Sequence, residues 1–137
     1  MPPLIRPWLV LNGMDAFKNK PWTALIWTLV IFYLLSMDTS GVDKISLLKI
    51  YGIDKLIHLG IFLIFGWLWG TFLKEKWNAT DSFLFLTLCF VGSSYGMGME
   101  YYQKYFTNRS FSYWDGVADA LGVAIGSWYS IKKPLWK

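Results

Sequence analysis

Eight side chains suited to proton transfer, charge pairing or hydrogen bonding fall into short, regularly spaced groups. Asp54 and His58 stand four residues apart, with Lys55 beside the acid, in Asp54-Lys55-Leu56-Ile57-His58. Glu100 and Gln103 stand three apart in Glu100-Tyr101-Tyr102-Gln103. Arg109 follows in Asn108-Arg109-Ser110-Phe111-Ser112, and Asp115 and Asp119 form a second four-residue acidic pair. Residues three or four apart share a helix face, so each pair would present its groups together. A histidine with carboxylates one turn away is a candidate general base, and Arg and Lys suit the oxygens of a phosphate.

The elements that must carry these groups are apolar. Of 137 residues, 55% are hydrophobic, 20% aromatic and only 16% charged, whereas soluble domains run near a quarter charged. The apolar residues gather in runs at 22–37, 56–73, 82–99 and 116–131, of 16, 18, 18 and 16 residues. The middle two hold no Asp, Glu, Lys or Arg, and the last holds only Asp119. A helix needs roughly 20 residues to cross about 30 Å of hydrocarbon, so the two shorter runs must each borrow a turn from their flanks. Open strands are excluded, because lipid offers no partner for an unpaired amide. The expectation is an all-α membrane bundle of four transmembrane helices, one domain over residues 1–137.

Charge counts set an orientation. Lys and Arg total eight on the side of the two tails and the loop between the second and third runs, against five on the other side. By the positive-inside rule both termini lie in the cytoplasm. The opening MPPLIRPWLVLNGMD shows no apolar run with a small-residue cleavage site, so the first span is expected to act as an uncleaved anchor. The net charge of +4 is spread along helix flanks, which excludes a nucleic-acid face. Cys89, the single cysteine, lies inside the third run as a packing residue. Tryptophans such as Trp22, Trp77, Trp114 and Trp128 sit near span ends, where amphipathic rings favour the interface. No phosphate-cradling loop, nucleophile elbow, zinc-type cysteine spacing or transporter-like internal repeat is present.

Helical stripes bring the polar groups together. Gly92, Gly96, Glu100 and Gln103 recur along one face of the third span, and Asp115, Asp119, Gly122 and Gly126 along one face of the fourth. With Gly66 and Gly70 in the second span, three glycine pairs at four-residue spacing mark close helix contacts. Carboxylates on the same stripes then point into the bundle, at its outer end. Asp54, His58, Glu100, Gln103, Arg109, Asp115 and Asp119 would share one polar pocket there. Against Lys55 and Arg109, the four carboxylates leave a surplus of two negative charges. Crowded carboxylates resist ionising together, so a proton or a cation must balance them. The residues 45–53 could lie flat on the outer surface as a short amphipathic helix, or form a plain loop.

The string D-K-x-x-H opening one span, E-Y-Y-Q closing the next, and N-R-S-F-S-Y-W-D-G-V-A-D-A-L-G-V-A-I-G resembles the VanZ-like family of small bacterial membrane proteins. That family's motifs read approximately D-K-x-x-H, E-x-x-Q and R-x-x-x-x-x-D-x-x-x-N, followed by a glycine-rich helix. Asp54, Lys55, His58, Glu100, Gln103, Arg109 and Asp115 match position by position. Asp119 departs, standing where the family usually has Asn. The resemblance implies a multi-pass protein of the bacterial inner membrane, related to accessory proteins of low-level teicoplanin, that is glycopeptide, resistance.

Three functions fit these residues. An enzyme acting on lipid-linked or phosphate-bearing envelope components would use His58, Glu100 and Asp54 as catalytic groups. Lys55, Gln103, Arg109, Asp115 and Asp119 would then hold the substrate. A binding module for a headgroup or a lipophilic glycopeptide would need the same pocket without a base. A scaffold would use the cluster as an ion-pair network joining helices. No cofactor or metal is assigned; were a cation bound, one histidine without cysteine favours an oxygen-preferring ion over zinc. The partners expected are membrane lipids, with no nucleic acid. The orientation has a direct check in a Cys89→Ala background carrying a cysteine at Asn78 or Asn108. An impermeant maleimide on intact cells should modify position 108 only, and modification at 78 alone would place the polar cluster in the cytoplasm.

Overall fold

The computed structural model describes residues 20–38 and 52–133. Among them the regular structure is entirely helical: α1 (Pro21–Ser36), α2 (Ile53–Lys76), α3 (Asp81–Phe106) and α4 (Tyr113–Lys132). The tails, with Trp8 and Trp136, and all but the last two residues of the suggested surface helix lie outside the described residues.

Each helix begins where its local chemistry lets it. Pro21 opens α1, where a missing N–H costs nothing. Gly52 precedes α2 with φ 110, a left-handed conformation that only glycine adopts without strain. Thr80 caps α3, its hydroxyl accepting from the Phe83 N–H at 3.3 Å, and Ser112 caps α4 by accepting from the Asp115 N–H at 3.3 Å. The short connections 77–80 and 107–112 make α2, α3 and α4 antiparallel in turn. The fourth apolar run does borrow flanking turns, and α4 reaches 20 residues. The first does not: α1 keeps 16 residues, about 24 Å, and the chain leaves it in extended form at Met37.

The tightest packing is between α2 and α4, whose backbones touch. A Cβ on Gly66 would lie 2.5 Å from the Val123 carbonyl oxygen, and one on Gly122 or Gly126 would strike the Leu59 or Leu63 carbonyl. On α3, a Cβ on Gly92 would lie 2.6 Å from Val123 Cγ2. All three glycine pairs therefore stand at helix contacts. Phe62, Phe65, Met99 and Val123 fill the core they enclose. α1 covers this core from α2 and α3, adding Ile31 and Leu35. Three aromatic hydrogen bonds hold it: the Trp27 indole donates to the Ile61 carbonyl at 2.9 Å, Trp69 to Thr28 Oγ1 at 3.1 Å, and the Tyr95 hydroxyl to the Thr28 carbonyl at 2.8 Å.

The outside is more apolar than the inside. Leu29 and Phe90 are 68% and 76% exposed, while His58, Glu100 and Asp119 are wholly buried. α2 and α3 are long and apolar enough to cross a membrane, and most of their residues face outward rather than into a core. α4 carries Asp115, Asp119, Ser127 and Ser130 on its buried side.

The helix crossing makes a prediction whose sign opposes ordinary helix propensity. Alanine normally exceeds glycine in a helix by about 1 kcal/mol. Gly126→Ala should instead destabilise by roughly 1–3 kcal/mol, because its methyl must displace backbone. Gly98→Ala, where a Cβ meets nothing within 4 Å, should be neutral or stabilising. Thermal melting in detergent compares the two.

Candidate functional site

His58 lies in the second turn of α2, fully buried, and faces α4 across the glycine-lined contact. Its Nδ1 lies 2.8 Å from Asp119 Oδ1. With Asp119 as a carboxylate, which accepts and does not donate, the ring hydrogen sits on Nδ1, and a neutral ring then carries its lone pair on Nε2. Among the described residues, no hydrogen-bond partner meets Nε2. Asp119 owes its position to Gly96 of α3, where a Cβ would lie 2.7 Å from Asp119 Oδ2.

Glu100 completes the buried part. Its Oε1 lies 3.9 Å from His58 Nδ1, and its Oε2 accepts from the Ser112 N–H at 3.1 Å. Ser112 caps α4, and the cap's own N–H is a group that a residue three positions on often satisfies. Here Glu100 of α3 takes that place, tying the helix end to its neighbour. Asp115, buried in the first turn of α4, pairs with Lys55, whose Nζ is 3.3 Å from Oδ1. That contact lies within ion-pair range but lacks hydrogen-bond direction, since Asp115 Oδ1 has no hydrogen-bond partner. The Arg109 guanidinium donates to Asp54 Oδ1 at 3.0 Å. Asp54, Lys55 and Arg109 are partly exposed and form the rim; His58, Glu100 and Asp119 form the floor.

The expected cluster thus assembles, with one correction. Gln103 stays out of the carboxylate group: its amide donates to the Leu35 carbonyl at 2.9 Å, satisfying one of the unpaired carbonyls at the end of α1. The partner of Asp119 is His58; Arg109 serves Asp54. Sequence reasoning missed Ser112, although Ser112-Tyr113-Trp114-Asp115 carries the pattern of a helix N-terminus. It also missed the bond from Asn108 to Asp38 Oδ2, 3.2 Å long, which joins the loop to the end of α1.

His58 belongs to two sets of possible ligands. One nitrogen of its ring lies within 4.8 Å of oxygens of Asp54 and Asp115, which are themselves that close; the same holds for His58, Glu100 and Asp119. No family model, curated protein or solved structure matches the chain.

The Asp119–His58 bond is testable through stability. Asp119→Leu should leave the buried Nδ1–H without an acceptor and cost roughly 1–3 kcal/mol. Asp119→Asn keeps a carbonyl oxygen for that hydrogen and should melt close to the parent. Equal loss in both would mean that the negative charge, rather than the hydrogen bond, holds the helices together.

Proposed function

We propose that this chain is a VanZ-like, four-span protein of the bacterial cytoplasmic membrane with both termini inside. Its outward polar site engages a phosphate-bearing envelope lipid, for hydrolysis or transfer at the phosphate. The observation that carries this reading is the state of His58: buried, oriented through Nδ1 by Asp119, and presenting an unpartnered Nε2. A carboxylate behind an imidazole is how a ring is held for work at its other nitrogen, as a base or as a ligand. Arg109 and Lys55 at the rim suit the ligand's charge, since a phosphate oxygen can compete for the donors they extend to Asp54 and Asp115. The two apolar helices and the outward-facing Leu, Phe and Trp side chains support a lipid setting, as does the interior position of the charged groups.

A scaffold reading has its own support, because Gln103 and Glu100 Oε2 have partners that join helices and need no ligand. Lipid-resolved mass spectrometry of the purified protein separates the two. A phosphate-bearing lipid class should be enriched with the parent and fall roughly tenfold or more in His58→Gln and Arg109→Ala, with both variants eluting as folded protein. Unchanged lipid content, with a lowered melting temperature in His58→Gln, would establish the scaffold instead.

A further inference from the structure

The ion pairs leave the site out of balance. Among the described residues, Asp54 and Asp115 pair with Arg109 and Lys55, while Glu100 and Asp119 face His58 and no Lys or Arg. Among the described residues, His58 Nε2, Glu100 Oε1 and Asp119 Oδ2 are buried without a hydrogen-bond partner, and Asp115 Oδ1 has only the Lys55 ion pair. A buried histidine nitrogen and carboxylate oxygens left unmatched at one place suit a metal ion.

We propose that this site binds one divalent cation, ligated by His58 Nε2 and the carboxylates of Asp54 and Asp115. A ring nitrogen of His58 and one oxygen from each acid lie within 4.8 Å of one another, a spacing that admits an ion bonded at roughly 2.0–2.4 Å. The alternative set, His58 with Glu100 and Asp119, would take the nitrogen that Asp119 already holds. In the chosen set that bond persists and gains a purpose. Metal-bound histidines almost always donate their other N–H to a carboxylate, which fixes the ring and raises its basicity. Asp119 is thus a positioning residue, and Glu100 holds the Ser112 cap in place. Asp54 keeps Arg109 on one oxygen and offers the other. One nitrogen with two carboxylate oxygens suits Mn²⁺ or Fe²⁺ better than Ca²⁺, and leaves coordination positions open for water or phosphate oxygens. The inference rests on the reading of His58 as the centre of the proposed site, and it places the cation between Nε2 and the lipid phosphate.

The test uses the full-length protein in detergent, stripped by a chelator and titrated with MnCl₂ alone. Free Mn²⁺ is followed by its electron paramagnetic resonance signal. The parent should take up one Mn²⁺ per chain with ¹⁴N coupling in the electron spin echo. His58→Gln should abolish the coupling, and both it and Asp115→Asn should weaken uptake at least tenfold. Asp119→Asn should weaken binding roughly 10–100-fold while keeping the coupling, and Glu100→Gln should bind as the parent does. Melting curves without metal identify any variant that has simply unfolded, and the parent's own titration is decisive regardless. No saturable uptake at millimolar Mn²⁺, uptake without ¹⁴N coupling, or loss confined to Glu100→Gln would each overturn the proposal. Because no lipid is added, Mn²⁺ uptake without lipid enrichment would reject the lipid reading alone, and lipid enrichment without Mn²⁺ uptake would reject only the cation.

Discussion

The contact on which the structure turns is the one between the α2 and α4 backbones, where Gly66 meets Val123 and Ser127, and Gly122 and Gly126 meet Leu59 and Leu63. In the proposed lipid setting, apolar side chains gain little by leaving one set of hydrocarbon neighbours for another. Helices there associate through close packing and polar contacts, and glycine lets two backbones approach as no other residue can. The same crossing builds the site. Gly122 rests against Leu59, the neighbour of His58, so the residue one turn before it, Asp119, arrives beside the imidazole. Gly96 then lets α3 close over Asp119, and that approach sets Glu100 within reach of the Ser112 cap. Packing and chemistry are consequences of one set of small residues.

Within the polar cluster the groups divide by what satisfies them. Gln103 and Glu100 Oε2 meet backbone groups at helix ends, the Leu35 carbonyl and the Ser112 amide. Such groups have no intrahelical partner and would otherwise need water. These bonds tie α1 to α3 and α3 to α4, and Asn108 adds a tie to Asp38. His58, Asp115 and the inner oxygens of Glu100 and Asp119 are different, since part of each remains unmatched. The first group explains why the helix ends stay together.

The amino-acid sequence displayed faces far better than neighbours. Period-3.6 patterning showed that Gly92, Gly96, Glu100 and Gln103 share a stripe, and all four are buried. It likewise aligned Asp115, Asp119, Gly122 and Gly126, again all buried. Periodicity cannot say which group on the facing helix an inward side chain meets. The partner of Asp119 is set by the register of α2 on α4, which delivers His58. The partner of Gln103 is a backbone carbonyl, which every residue carries and no residue type signals. Element length was readable only where polar flanks could join the helix. α4 gained its extra turn because Ser112 caps ahead of Tyr113, while α1, between Pro21 and Met37, had no such extension.

The arrangement of matched and unmatched groups also bears on how a ligand would approach. The floor of the site is closed, with His58, Glu100 and Asp119 fully buried. Only Asp54, Lys55 and Arg109 open outward, and each ion pair spans two elements: Asp54 of α2 to Arg109 of the α3–α4 loop, and Lys55 of α2 to Asp115 of α4. Partly exposed ion pairs exchange partners at little cost, because water and incoming charge compete for the same donors. A phosphate could draw Arg109 and Lys55 toward itself, uncovering Asp54 and Asp115 at the moment of binding. The α2–α4 contact beneath is backbone against backbone and has no room to shift. In the proposed reading, the groups that exchange partners are these three partly exposed side chains, above the buried His58–Asp119 pair.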